Sequence, residues 1–342
     1  MDWTRGYSAR WRVRRVDPRT WADTEELGGV TAVGVERDWT SPTLERGRMT
    51  VDGAGDFAPG YYRVALWATQ DGATERMDVA TLLCEATRTT SDRGGELREV
   101  VGHSVLRPAE TERLAGGSYA PSGADGAAYA AGMLRAVLAA PVTVEGKFVL
   151  GQNVVWDAGT PVLDAVRAVL DAGGYCLRLA GDGSVAVRRR PTTPALALDD
   201  AGARLMHPGV THDLDLSGVP NRYFAARGAL VEVAVNDDPD SPTSTVARGY
   251  NVDAYDGRPV RVDGETLYGY CVRRLREEST VGVAHGYSRE WWPDVTVGDV
   301  VHGSLASVGM VGDLRITRQS LACGHGISVT EQAEEEVALW QS

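Results

Sequence analysis

The chain opens in a two-residue rhythm. In "SARWRVRRV" (residues 8–16) Ala9, Trp11 and Val13 fall on one side and Arg10, Arg12 and Arg14 on the other, the alternation of a half-buried strand. Asp17-Pro18 ends the run. The same alternation returns in "GGVTAVGVERDW" (28–39), "LERGRMTVDG" (44–53), "GYYRVALWATQ" (60–70), "ERMDVATLLCEATR" (75–88) and "ELREVVGHSVLRPAE" (96–110), with Ser-Pro, Asp-Gly and Gly-Gly breaks between. Short strands at this spacing predict a small antiparallel barrel or sandwich, and we take residues 1–112 as a β-barrel domain.

Near residue 118 the period lengthens. Asp125 is placed to cap a helix through "GAAYAAGMLRAVLAA", where Ala128, Ala131, Leu134, Val137 and Leu138 recur at helical spacing. A second helix has Thr160 as N-cap, Pro161 at its first position, a stripe of Val162, Leu163, Val166, Val169 and Leu170, and Gly173-Gly174 as its stop. "YCLRLAGDGSVAVRRR" (175–190) reads as a hairpin turning at Gly181-Asp182-Gly183. Residues 113–214 are therefore expected to form an α+β domain.

Strand alternation resumes in "NRYFAARGALVEVAVN" (221–236) and, beyond a helix opened by Asp263, in "VTVGDVVHG" (295–303) and "GMVGDLRITRQSLACGHGISVTEQ" (309–332). This predicts a second antiparallel β-barrel over 215–332 with a helical insertion near 263–280. The acidic stretch 333–342 reads as a short helix or a frayed tail. The expected class is α+β and β-rich: two antiparallel β-barrel domains flanking and enclosing smaller α+β or helical domains. At 342 residues the chain exceeds what one hydrophobic core usually supports, which agrees with several units.

Charge narrows the function. A formal net charge of −12 argues against a general grip on phosphates and hence against DNA binding as the main role, while an acidic wall still suits a conduit that must not hold DNA. Lys147 is the only lysine; arginine carries every other fixed positive charge. Cys84, Cys176, Cys271 and Cys323 are far apart and read as free buried thiols. No window approaches the length of a membrane span and the N-terminus has no signal-like apolar core, so cytoplasmic synthesis is expected.

Catalytic signatures are missing: no His-Glu-x-x-His, no Gly-x-Ser-x-Gly, no phosphate loop, no EF-hand. His207 and His212 with Asp213 stand in a Pro/Gly loop that does not align two imidazoles for a metal. The carboxylates of "DLDLSG" (213–218) and "NDDPD" (236–240) lack a calcium-loop spacing and read as solvated turns. We expect no catalytic residue, no metal and no cofactor.

The remaining candidate is "SREWWPDVTVGDVVHG" (288–303). Adjacent strand residues face opposite ways, so Trp291 and Trp292 are expected to divide, one into a core and one toward an interface, with Tyr268 and Tyr270 on the inserted helix as further contact residues. A sugar platform flanked by Arg289, Glu290 and Asp294 is the alternative.

Taken in order, "DWTSPTLERGRMTVDG", "VWDAGTPVLDAVRAVLDAGGYCLRLAGDGSVAVRR", "GVPNRYFAARG" and "PDVTVGDVV" resemble the baseplate hub, or tail-associated, proteins of tailed bacteriophages and prophages, over about residues 8–332. The resemblance implies a non-enzymatic virion protein: a homotrimer whose two barrels per subunit present a pseudo-sixfold ring to the hexameric tail tube and leave a channel for tape-measure protein and DNA. It implies as partners the tube protein, the distal tail protein, the tape-measure protein and a tail spike or fibre, with no sequence-specific nucleic-acid binding and no stable membrane insertion. Assembly would take place in the host cytoplasm and the final location would be the virion tail. A carbohydrate-binding adhesion module of a tail is the alternative function, with a distal tail protein or a cell-wall hydrolase component third.

Overall fold

A computed structural model describes residues 6–53, 57–92, 95–199, 205–207, 215–306, 309–324 and 326–340. The N-terminal alternation becomes β1 (Ser8–Val16), β2 (Asp23–Glu26), β3 (Val30–Asp38), β4 (Glu45–Asp52), β5 (Gly60–Gln70), β6 (Ala73–Asp92) and β7 (Gly95–Ser104). As the parity predicts, Val13 is buried in the first β core and Ala9 and Trp11 pack against it. The middle segment supplies α1 (Arg107–Thr111), β8 (Ser118–Ala120), α2 (Gly126–Val137), β9 (Val142–Val144), β10 (Val154–Trp156), α3 (Val162–Ala172), β11 (Tyr175–Leu179) and β12 (Val185–Arg189). Asp125 caps α2 by accepting from the Ala127 and Ala128 amides. Helix α3 starts one residue later than expected, with Pro161 as N-cap, because the Thr160 carbonyl is bound by the Leu114 amide.

Beyond the hairpin come β13 (Pro194–Leu198), β14 (Leu205–His207), β15 (Arg222–Arg227), β16 (Leu230–Val235), α4 (Thr245–Arg248), β17 (Asp253–Asp256) and α5 (Leu267–Glu278). The chain closes with β18 (Thr280–Glu290), β19 (Val300–Leu305), β20 (Met310–Cys323) and β21 (Ile327–Ala338). The β-rich α+β class holds, but the units do not follow the expected boundaries. Thirteen strands form one continuous sheet in the order β14-β18-β21-β20-β3-β4-β7-β6-β5-β1-β2, with β19 and β13 branching from β20.

Strand β20 explains this. Its residues Arg318–Cys323 pair with Asp38–Val33 of β3, while Met310–Arg315 pair with Leu305–Val300 of β19. A register shift between Ile316 and Arg318 separates the two halves, and such a bulge bends a strand from one unit into the next. The C-terminal strands thus complete the core of the N-terminal unit: Leu321, Cys323, Ile327 and Val329 are buried with Val33, Val35, Val64 and Leu82.

Three further expectations are corrected. Residues 215–278 are not the start of a second barrel. They form a separate three-stranded sheet, β16-β15-β17, packed on α5 through Tyr223, Ala225, Ala234, Tyr270 and Leu275. Helix α5 is capped by Thr266 rather than opened at Asp263, because Val262 and Asp263 are tied to Leu150 and Val149 of the middle unit. The acidic tail is strand to Ala338: β18 pairs with β21 from Thr280↔Ala338 to Glu290↔Ser328, and that continuous ladder overrides the helix propensity of a Glu-rich run.

The β11–β12 hairpin clamps the middle unit to both β units. At its turn the Asp182 carbonyl accepts from Trp21 Nε1 and Arg63 Nη2 at 2.8 Å each, and the Gly181 carbonyl from Thr81 Oγ1 at 3.0 Å. On its strands Arg178 and Arg188 both reach the buried carboxylate of Asp299. A Cβ at Gly181 would stand 1.8 Å from the Asp78 carbonyl oxygen. The Gly181→Ala variant is therefore expected to lose about 2 kcal/mol, read as a lowered denaturation midpoint; an unchanged midpoint would show that the turn is not packed this way.

All four cysteines are free and buried. Burial pushes the thiols of Cys84 and Cys323 up to about 12 and those of Cys176 and Cys271 above their usual value. At pH 8 a pKa of about 12 leaves roughly one thiolate in ten thousand. Ellman's reagent should find no reactive thiol in the folded chain and all of them in guanidinium; rapid native labelling would contradict the burial.

Candidate functional site

The aromatic pairs singled out above are not brought together. Trp291 and Trp292 lie just past the end of β18, outside any strand. Trp291, only 2% exposed, fills the first β core, whereas Trp292 is half-buried against the second core of Tyr287, Leu314, Ile316 and Ala333. A ring so covered cannot offer a face to a pyranose, so Trp291 is no sugar platform. Tyr270 belongs to the α5 core and donates its hydroxyl to Asp256, while Tyr268 is exposed.

What joins the two β cores is a polar row that the search for motifs passed over. A polar level crosses the inward face, where Tyr287, Glu331, Gln319, Arg37 and Glu45 lie opposite one another across β18, β21, β20, β3 and β4, with buried His285 and Arg289 on either side of it along β18. Arg37 donates from Nε to Glu45 Oε2 (2.7 Å), from Nη1 to Gln319 Oε1 (2.7 Å) and from Nη2 to the Val79 carbonyl (2.5 Å). Gln319 Nε2 donates in turn to Glu331 Oε1 (2.7 Å) and the Val295 carbonyl (3.1 Å). Arg289, two residues along β18 from Tyr287, grips Glu331 with Nε at 2.6 Å and Nη2 at 2.5 Å. The signal was present as a break in parity: Val33, Val35, then Arg37; Ile327, Val329, then Glu331.

Burial governs the charges here. The Arg289 and Glu331 side chains are 2% and 0% exposed. Burial works against the Arg289 charge, but the Glu331 carboxylate outweighs it and raises the guanidinium further. Burial, helped by Glu331, holds the Tyr287 phenol well above its ordinary value, and burial raises the Glu45 carboxyl against the pull of Arg37. Buried charges persist only when paired and fully hydrogen-bonded. Each strand must therefore stop at one register, since a slip by two residues would set an ion against the valines beside it.

The same strands line an open groove of about 790 Å³, with Glu36, Asp38, Arg46, Arg318, Ser320 and Thr330 on its wall beside residues of the row itself. Its charges are paired across strands, Arg46 with Glu36 at 2.5 Å and Arg318 with Asp38 at 3.5 Å. Among the described residues no group of His, Cys, Asp and Glu is gathered for a metal, and no helix is long and apolar enough to cross a membrane. His212 and Asp213 lie outside the described residues, as does the side chain of His207. The two acidic loops are turns: Asp215 accepts from the amide and hydroxyl of Ser217, and Asp238 from the Asp240 amide.

Removing one partner of the buried pair leaves the other uncompensated. Arg289→Met is expected to cost about 3–5 kcal/mol, and adding Glu331→Leu to recover most of it. Urea denaturation of the two single variants and the double variant would measure the coupling; additive losses would mean that the pair does not act as a unit.

No protein-family model matches the chain, and no curated protein is significantly similar to it. Solved structures share its fold over nearly the whole length. The tail protein from Neisseria meningitidis is 14% identical, with 97% of each chain covered and a TM-score of 0.63. The 43 kDa tail protein of a Shewanella oneidensis prophage is 11% identical over 97% of this chain and 99% of that one, also at 0.63. A prophage tail protein from Listeria monocytogenes is 11% identical over 94% of each chain, with a TM-score of 0.52. At such identities the likeness establishes the fold: this chain is built, end to end, like these tail proteins.

Proposed function

We propose that the chain is a structural hub of a phage-type tail: a homotrimer that joins a hexameric tail tube to a threefold tip around a central channel. The observation that carries this reading is the shared strand pair. Because β20 and β21 run through both β cores, each subunit offers two β units held in one fixed relation, and three subunits would offer six. A symmetry adaptor needs this property, since six contacts from three chains match a sixfold partner only if the two units of each chain do not drift.

The end-to-end likeness to tail proteins of Neisseria and Shewanella supports the same reading; on this reading the protein works in a virion tail and is assembled in the host cytoplasm. The role is non-enzymatic. Its partners are a second and third copy, the tube and distal tail proteins, the tape-measure protein and a spike or fibre. The net charge of −12 suits a channel wall past which DNA must slide rather than stick.

Electron microscopy of the concentrated protein tests the proposal. Threefold rings with a channel and a face of six similar lobes are the expected class averages. Monomers at every concentration, or rings of another order, would overturn it.

A further inference from the structure

The small sheet beside α5 has two edges of opposite character. At one edge β17 is four residues long and carries Asp253 and Asp256, and at the far edge of the large sheet β2 is as short and carries Asp23, Glu25 and Glu26. Short charged edges of this kind are how natural sheets prevent further pairing. The other edge, β16, has no such protection. It is six residues of "LVEVAV", and among the described residues no strand pairs with its outer side. Leu230, Val231, Val233 and Val235 are 54%, 57%, 36% and 38% exposed. An apolar β edge left bare in a folded chain marks a surface that another strand covers.

We propose that β16 pairs antiparallel with β16 of a second copy of this chain, about a two-fold axis at Val233. Charge selects the occupant and the direction. Exposed Arg227 precedes the strand, and the Asp237, Asp238 and Asp240 loop follows it. Antiparallel pairing with a second copy sets each basic end beside the other's acidic end, twice over, whereas parallel pairing sets like against like. Side-chain parity then selects the register. Val231, Val233 and Val235 share the face away from α5, as the packing of Ala234 on the helix side shows. Opposed residues of an antiparallel pair share a face, so the register that covers all three valines puts Val233 against itself and Val231 against Val235.

Helix α5 packs on the face that carries Ala234, opposite the three valines. The Cys271 thiol of α5 meets the Glu232 carbonyl at 3.5 Å, and exposed Tyr268 stands one turn earlier on the same flank. The result is a two-fold, self-complementary contact, giving a continuous sheet of six strands across two chains. It goes beyond the trimeric hub and does not depend on it, because a two-fold contact joins two subunits, or two rings, edge to edge.

Single cysteines in the full chain test it, since the native thiols are buried. With a short bis-maleimide, Val233→Cys should link to itself and run as a dimer, Val231→Cys and Val235→Cys alone should link poorly, and a mixture of those two should link well. Val233→Lys, which places two ammonium groups at the axis, should weaken the association at least tenfold in sedimentation while leaving circular dichroism unchanged. Absence of a Val233 link, or links of equal strength at all three positions, would overturn the proposal. Threefold rings without the link would sink this inference and leave the hub standing; the link without rings would do the reverse.

Discussion

Everything in this chain hangs on strand β20 serving two β cores at once. A strand can do this only if something fixes where one core ends and the next begins, and here that is the buried row from Tyr287 to Glu45 together with Arg289. Hydrophobic burial alone would tolerate a slide, because valine beside valine is much the same two residues along. A carboxylate held by a guanidinium at 2.5 Å with no access to water does not tolerate it. The bulge at Ile316–Arg318 sits next to this row, so the bend and the register lock occur together. Specificity of pairing, rather than net stability, is what the ions contribute.

The middle unit makes the relation between the β units rigid from outside. One hairpin reaches Trp21, Arg63 and Thr81 with its turn and Asp299 with its strands, so the two β units are held at a shared seam and across it. Gly181 at the turn and Gly298 under the Trp39 ring are two of the points where backbone or ring comes too close for any side chain. A body braced in this way suits an adaptor that must present fixed surfaces, and in the proposed hub the brace stands where a hinge would be harmful.

How much of this the sequence discloses depends on how local the cause is. Strand β1 with its outward arginines, the Asp125 cap and the Gly181–Gly183 turn all follow from a few neighbouring residues, and all are found. The acidic C-terminal strand and the separate sheet of residues 222–256 depend on partners several elements away, and the placement of Trp291 depends on a core built from the other end of the chain. Arg37 and Gln319, bonded directly, are 282 positions apart. Periodicity shows that a strand has an inner face; it does not show which core that face enters. The polar row was open to reading as a break in parity, but its meaning required knowing that five such breaks fall on one level.

That separation has a consequence for the order of events at the ribosome. The N-terminal unit is synthesised first, yet its core lacks Leu321, Cys323, Ile327 and Val329, and Trp11 finds its acceptor only at Gly324. Until those residues emerge, β3 lacks the strand that pairs with its second edge. Contacts this distant are slow to form, and the N-terminal unit must wait for Leu321, Cys323, Ile327 and Val329. Completion of the first unit is thus tied to synthesis of β20 and β21, and until then its uncovered apolar surface is open to mispairing.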